Sequence, residues 1–191
     1  MLENIDLILA SQSPRRKELL TLIKQDFDII PSHIEEVIPN GMETDDIPVY
    51  LSAQKALDIA KTHPHAMVIG CDTVVVLEDI IMGKPKDREE AYSMLRRLSG
   101  RTHKVVSGVC LCYRGRTLTF SETTLVSFYE LSDDEIYDYI ETGSPFDKAG
   151  GYGIQDRASL FVKKIDGDYY NVVGLPVGKL NRTIKTLLEM M

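Results

Sequence analysis

The sequence predicts an α/β fold built on a mixed, partly antiparallel twisted sheet flanked by helices. Three observations carry that prediction. Helical and strand periodicities alternate over the first half of the chain, hairpin signals dominate its middle and end, and most apolar runs have the length of strands. A purely parallel, doubly wound sheet does not suit the hairpins.

The elements follow in order. Ile5–Ala10 is an apolar run of strand length, interrupted by Ser11-Gln-Ser-Pro14. Residues 14–24 carry Leu19, Leu20 and Ile23 at helical spacing, with Ser13 as N-cap and Pro14 as first helical residue. Phe27–Ile30 reads as a second strand stopped by Pro31, and Pro39-Asn-Gly41 as a turn. Residues 47–62 place Leu51, Ala56, Ile59 and Ala60 at helical period. Met67–Gly70 is a strand that runs on into Val74–Leu77, and Glu78-Asp79 turns it into Ile80–Met82. Residues 87–98 form a helix capped by Asp87. The runs 104–113 and 117–129 flank Arg114-Gly115-Arg116, a hairpin signal. Ser132-Asp-Asp-Glu135 is a capping box that opens a helix through Tyr139. Phe161–Ile165 and Tyr169–Val173 flank Asp166-Gly167 and read as a second hairpin. Pro176 starts a last helix that ends near Met190.

Composition limits the function classes. The 191 residues are 43% hydrophobic and 27% charged, an ordinary globular balance, so the whole chain, 1–191, reads as a single domain. The net charge of −7 argues against a nucleic-acid partner held by a broad basic face, while a small anionic ligand held by local cations stays compatible. Cys71, Cys110 and Cys112 make a poor disulfide framework and read as buried thiols. No apolar run has the length of a membrane span and no secretory pattern opens the chain, so the expected location is cytoplasmic, with no membrane partner.

Four segments carry chemistry. Arg15, Arg16 and Lys17 occupy the first turn of the 14–24 helix, where cations oppose the helix dipole. A bound polyphosphate reverses that cost, and Arg grips phosphate with two parallel hydrogen bonds; a solvated basic turn paired with Glu18 is the alternative. Asp72 interrupts an apolar strand, where a carboxylate is costly unless it is paired, metal-bound or capping a turn. Lys84, between Gly83 and Pro85, is fixed on a turn and suits a phosphate oxygen as well as solvent. Gly150, Gly151 and Gly153 around Tyr152 imply close backbone approach, and the Gln155 amide can match a pyrimidine edge. Glu35 and Glu36 can join Asp72 at a metal, since Mg²⁺ takes carboxylates together with substrate phosphates; an exposed acidic pair is the simpler reading. Lys55 sits in mid-helix, where snorkelling is the common explanation. There is no Walker loop and no G-x-G-x-x-G after a strand, which removes P-loop and dinucleotide folds.

Together these segments resemble the Maf family of nucleoside triphosphate pyrophosphatases, related in fold to the inosine triphosphate pyrophosphatases. The resemblance covers about residues 5–185. It rests on Ala10-Ser-Gln-Ser-Pro-Arg-Arg-Lys-Glu-Leu-Leu20, Glu35-Glu36, Gly70-Cys-Asp-Thr-Val-Val75 and Gly83-Lys-Pro85. It rests also on Met94–His103, on Asp147–Gln155 and on Gly167–Pro176, all in the same order. It implies hydrolysis of a nucleoside triphosphate to the monophosphate and pyrophosphate with a divalent cation, Mg²⁺ or Mn²⁺. It implies Asp72 as the catalytic acidic residue, Ser11, Arg15, Arg16, Lys55 and Lys84 as phosphate holders, and Glu36 with Asp72 at the metal, Glu35 being a less certain neighbour.

Arg16, Thr73 and Gln155 match the branch of the family that prefers dTTP and UTP, and so are implied in substrate specificity. Two positions depart from the family pattern: Cys71 stands where Ala is common, and Gly150-Gly151 replaces a usual Gly-Ala. The family is often dimeric, so a homodimer is expected. It is also linked to inhibition of septum formation. An alternative implied role is therefore a nucleotide-sensing regulator of cell division that acts through a partner.

Overall fold

A computed structural model describes residues 2–191. Its thirteen helices and strands are β1 (Leu7–Leu9), α1 (Pro14–Leu20), β2 (Asp28–Ile29), α2 (Ile47–Ala60), β3 (Met67–Leu77), β4 (Ile80–Met82), α3 (Arg88–Leu98), β5 (Thr102–Tyr113), β6 (Arg116–Phe128), α4 (Asp133–Ile140), β7 (Val162–Asp166), α5 (Tyr169–Val173) and α6 (Val177–Glu189). Three short 3-10 turns lie between α4 and β7, at Ser144–Asp147, Ala149–Gly151 and Arg157–Phe161. The strand order is β2-β1-β3-β5-β6-β7, with β4 beside β3. β1 runs parallel to β2 and β3, whereas β4 is antiparallel to β3 and β7 to β6, so the sheet is mixed as expected.

The chain divides into two compact units. The first comprises residues 1–72, 107–122 and 174–191, and the second 73–106 and 123–173. In the first unit Ile8, Ala10, Ala56, Ile59, Val68, Cys110 and Cys112 share one apolar cluster. All three cysteines are buried, as their apolar setting predicted. The second unit has a larger core, in which Leu95 and Leu98 of α3 and Ile136 and Tyr139 of α4 meet Phe128 and Phe161.

Local side-chain chemistry sets most helix starts. Ser13 caps α1 and Pro14 begins it. Asp87 caps α3 by accepting the Glu90 N–H at 2.8 Å. The capping box at Ser132 and Glu135 is complete, with both reciprocal bonds made. Arg114 and Gly115 both take positive φ, the conformation that a two-residue turn between β5 and β6 requires.

Two expectations change. The first helix stops at Leu20 instead of residue 24, because the N–H groups of Thr21, Leu22 and Ile23 turn to carbonyls three residues back. Residues 169–173 form α5, so Asp166-Gly167 does not close a hairpin. Asp168 accepts the Tyr170 N–H at 2.8 Å and caps that turn. The Asn171 side chain is fully buried and donates to the Val105 carbonyl at 3.0 Å and to Thr124 Oγ1 at 3.1 Å. Those long-range bonds select the helical turn over the strand that a Tyr-Tyr-Asn-Val-Val run favours by propensity.

Candidate active site

Two glycines let α2 lie close against the sheet in the first unit. A Cβ on Gly70 would come within 2.1 Å of the Ser52 carbonyl oxygen, and one on Gly108 within 2.1 Å of the Pro48–Val49 backbone. Only glycine admits a helix backbone this close to a strand. The approach brings Lys55 on α2 onto Asp72 of β3, two residues beyond Gly70.

Lys55 Nζ donates to Asp72 Oδ1 at 2.7 Å and pairs with Glu36 Oε1 at 2.9 Å. Both partners of the shorter contact are only 15% exposed, while the Glu36 side chain is 50% exposed. Burial pulls the Lys55 ammonium down, but Asp72 and Glu36 outweigh it and hold it above the usual lysine range. Lys55 is therefore a charged bridge between two carboxylates and not a snorkelling surface lysine. Asp72 has the ionic partner that its place in an apolar strand requires.

The neighbouring acids separate. Glu36 faces Lys55, whereas Glu35 lines a cavity of about 680 Å³ together with Gln54, Asp58, Lys61, Cys112 and Arg116.

The loop after β1 holds the next pair. Ser11 is buried, and its Oγ accepts the Ser13 N–H at 3.3 Å and Arg16 Nη1–H at 3.2 Å. Arg16 also donates from Nη1 to the Cys71 carbonyl and from Nε to the Gly174 carbonyl, both at 2.9 Å. Arg15, one residue earlier on α1, is half-buried. The first unit thus brings Ser11 to Arg16 and, separately, Glu36 and Lys55 to Asp72.

Thr73, Lys84 and Gln155 belong to the second unit. Lys84 is exposed on the turn after β4, where the Gly83 carbonyl accepts the Gly150 N–H at 3.0 Å. Gly150 and Gly151 take φ of 70° and 71°, and Gly150 packs so closely on Val75 that a Cβ would meet its methyls at 3.0 Å. The Gly-rich segment therefore clamps the Lys84 turn, and Gln155 is exposed at its end. The close partner of those glycines is the protein itself.

Sequence reasoning missed three backbone contributors: Gly70, Gly108 and the carbonyl of Gly174. A glycine inside an otherwise apolar strand was the available signal for the first two.

Among the described residues no three His, Cys, Asp or Glu side chains cluster as a metal cage. The Asp72 and Glu36 carboxylates fit Mg²⁺ in donor chemistry, since that ion is commonly held by one or two carboxylates with substrate phosphates completing its shell.

The fold is a mixed sheet that carries Asp72 within β3, joined through Lys55 to Glu36 on the segment after β2, with two arginines in the first turn of α1. The chain belongs to the family described as Maf-like protein, which it matches over residues 6–187. It is 52% identical over 181 residues to a dTTP/UTP pyrophosphatase of Geobacillus sp. (strain WCH70), covering 95% of this chain and 97% of that one. It is 52% identical over 180 residues to a dTTP/UTP pyrophosphatase of Bacillus pumilus (strain SAFR-032), covering 94% and 95%. Its fold is similar to that of a HAM1 protein from Coxiella burnetii, with a TM-score of 0.52 at 14% identity, covering 95% of this chain and 99% of that one. No helix among the described residues is long and apolar enough to cross a membrane.

Proposed function

We propose that this chain hydrolyses dTTP and UTP to the monophosphate and pyrophosphate. The observation that carries the reading is the Glu36–Lys55–Asp72 bridge, built on the residues of the family motif. The identity to dTTP/UTP pyrophosphatases over nearly the whole chain supports the substrate class. The family match runs through both units, which supports treating residues 1–191 as one functional domain.

Water attacks the α-phosphorus, the bond to the bridging oxygen of the β-phosphate breaks, and pyrophosphate leaves. Lys55 holds Asp72 by Oδ1, and Oδ2 accepts the proton of the attacking water. Ser11, Arg15, Lys55 and Lys84 bind and neutralise the phosphates. Thr73 and Gln155 face the base, with the Gln155 amide accepting from N3–H and donating to O4 of thymine or uracil. Glu36 and Asp72 would hold a divalent cation, Mg²⁺ or Mn²⁺, which supplies charge stabilisation to the triphosphate when bound. The acidic balance supports a small nucleotide substrate over a nucleic acid.

Pyrophosphate release from a panel of nucleoside triphosphates, with and without Mg²⁺, tests the reading. Metal-dependent release from dTTP and UTP, with little from purines, is the expected result. Release from purine triphosphates alone would contradict the assigned base selection, and no release from any would contradict the activity.

A further inference from the structure

Arg16 opens a basic helix turn, yet its Nε–H and Nη1–H groups turn onto the protein's own chain. Nε donates to the Gly174 carbonyl and Nη1 to the Cys71 carbonyl, each at 2.9 Å. Nη1 also reaches Ser11 Oγ at 3.2 Å. These three acceptors lie on three separate segments: the loop after β1, the residue immediately before Asp72, and the loop that leads into α6. Gly174 contributes its carbonyl from a φ of 129°, a conformation that side chains rarely adopt. The Cys71 thiol donates to the same carbonyl at 3.4 Å, so the Gly174 oxygen ties Arg16 and β3 together.

The consequence at Ser11 is one of hydrogen-bond polarity. A serine hydroxyl has one proton to give and two lone pairs. The Ser13 N–H takes one lone pair, at 3.3 Å, and Arg16 Nη1–H takes the other. With both filled, the hydroxyl proton is left to be donated, and an anionic oxygen is the acceptor it suits.

We propose that Arg16, through Nε and Nη1, is a positioning residue that fixes Ser11 as a hydrogen-bond donor toward substrate phosphate and braces the backbone leading into Asp72. The proposal rests on the triphosphate-hydrolase reading above. A lysine cannot replace Arg16 in this role, because a single ammonium does not reproduce the planar fork that spans these acceptors.

A double-mutant cycle tests it, with native protein, Ser11→Ala, Arg16→Lys and the double variant compared. kcat and KM for dTTP are read separately, and binding of the non-hydrolysable α,β-methylene analogue of dTTP is measured by calorimetry. Thermal unfolding checks that each protein is folded, and Arg16→Gln replaces Arg16→Lys if the lysine variant does not fold. Loss of a hydrogen bond to a charged group predicts that Ser11→Ala lowers kcat/KM and analogue affinity about tenfold in the native background. In the Arg16→Lys background the same change is expected to cost less than about twofold, because Ser11 is no longer held as a donor. An equal cost in both backgrounds overturns the proposal, as does native-like activity of Arg16→Lys. A native protein that neither turns over dTTP nor binds the analogue contradicts the hydrolase reading itself, and the proposal falls with it.

Discussion

Lys55 Nζ on α2 stands 2.7 Å from Asp72 Oδ1 on β3, and the same ammonium reaches Glu36 at 2.9 Å. One cation thus holds two carboxylates that would otherwise repel each other. The arrangement exists because Gly70 lets the helix settle on the strand two residues before Asp72.

Removing that cation is expected to damage both stability and turnover. Lys55→Met leaves Asp72 and Glu36 facing each other without compensation, at a cost of about 2 kcal/mol in stability. Turnover of dTTP is expected to fall by about 10²-fold, the loss typical of removing one electrostatic stabiliser. The pH dependence has a definite sign. The Lys55 ammonium is held above its ordinary value by its partners, so its stabilisation is fully present below the unfolded-state pKa of about 10.5 and fades as pH rises through the folded-state value. Urea denaturation of native and Lys55→Met protein from pH 8 to 11.5 should show a constant difference that shrinks only above about pH 10.5.

Gly70→Ala tests the helix approach. The added methyl meets the Ser52 carbonyl oxygen at 2.1 Å, and neither backbone can give without moving α2. A destabilisation of about 3 kcal/mol is expected from overpacking, read as a lowered urea midpoint. Displacement of Lys55 should lower dTTP turnover in whatever fraction remains folded. A native-like midpoint would show that α2 does not sit as closely as described.

His103 makes the second unit sensitive to acid. It is buried, with Nε2 at 2.7 Å from the Tyr152 hydroxyl and no partner for Nδ1 among the described residues. Burial pulls its pKa down to about 4. A depressed histidine stays neutral in the fold while the unfolded chain takes up a proton below about pH 6.5. Stability is therefore lost as pH falls from about 6.5 to 4, by roughly 3 kcal/mol from this residue. The slope of stability against pH in that window should flatten in His103→Gln relative to native protein, measured by chemical denaturation.

Gln155 carries the base-selection claim. Gln155→Glu removes the amide donor offered to O4 and places a negative charge there. kcat/KM for dTTP and UTP is expected to fall by about 10- to 100-fold, with folding unchanged because the side chain is exposed. Steady-state kinetics on both nucleotides checks it, and unchanged kinetics would remove Gln155 from the pocket.

What was legible in the sequence was local or periodic. Ser13, Asp87 and the Ser132–Glu135 box announce their helices because each bond spans only a few residues. The mixed sheet followed from alternating helix and strand patterns with hairpin turns. The helix at 169–173 was not legible, because its deciding bonds run from Asn171 to Val105 and Thr124, far away in the chain. Arg16 shows the same limit. Its charge at a helix start suggests an anion, whereas its partners are carbonyls 55 and 158 residues distant that no local pattern reveals. Lys55 looked like a solvated helix lysine for the same reason: Asp72 is a neighbour only in the folded chain.

Turnover of dTTP by Asp72→Asn, beside native protein, tests the central claim most directly. Asn keeps the shape of Asp72 and a hydrogen-bond acceptor for Lys55, so the fold should survive and thermal unfolding should stay cooperative. Loss of a group that accepts the proton of the attacking water predicts a kcat lower by at least about 10²-fold. A folded variant with near-native kcat would contradict the role assigned to Asp72.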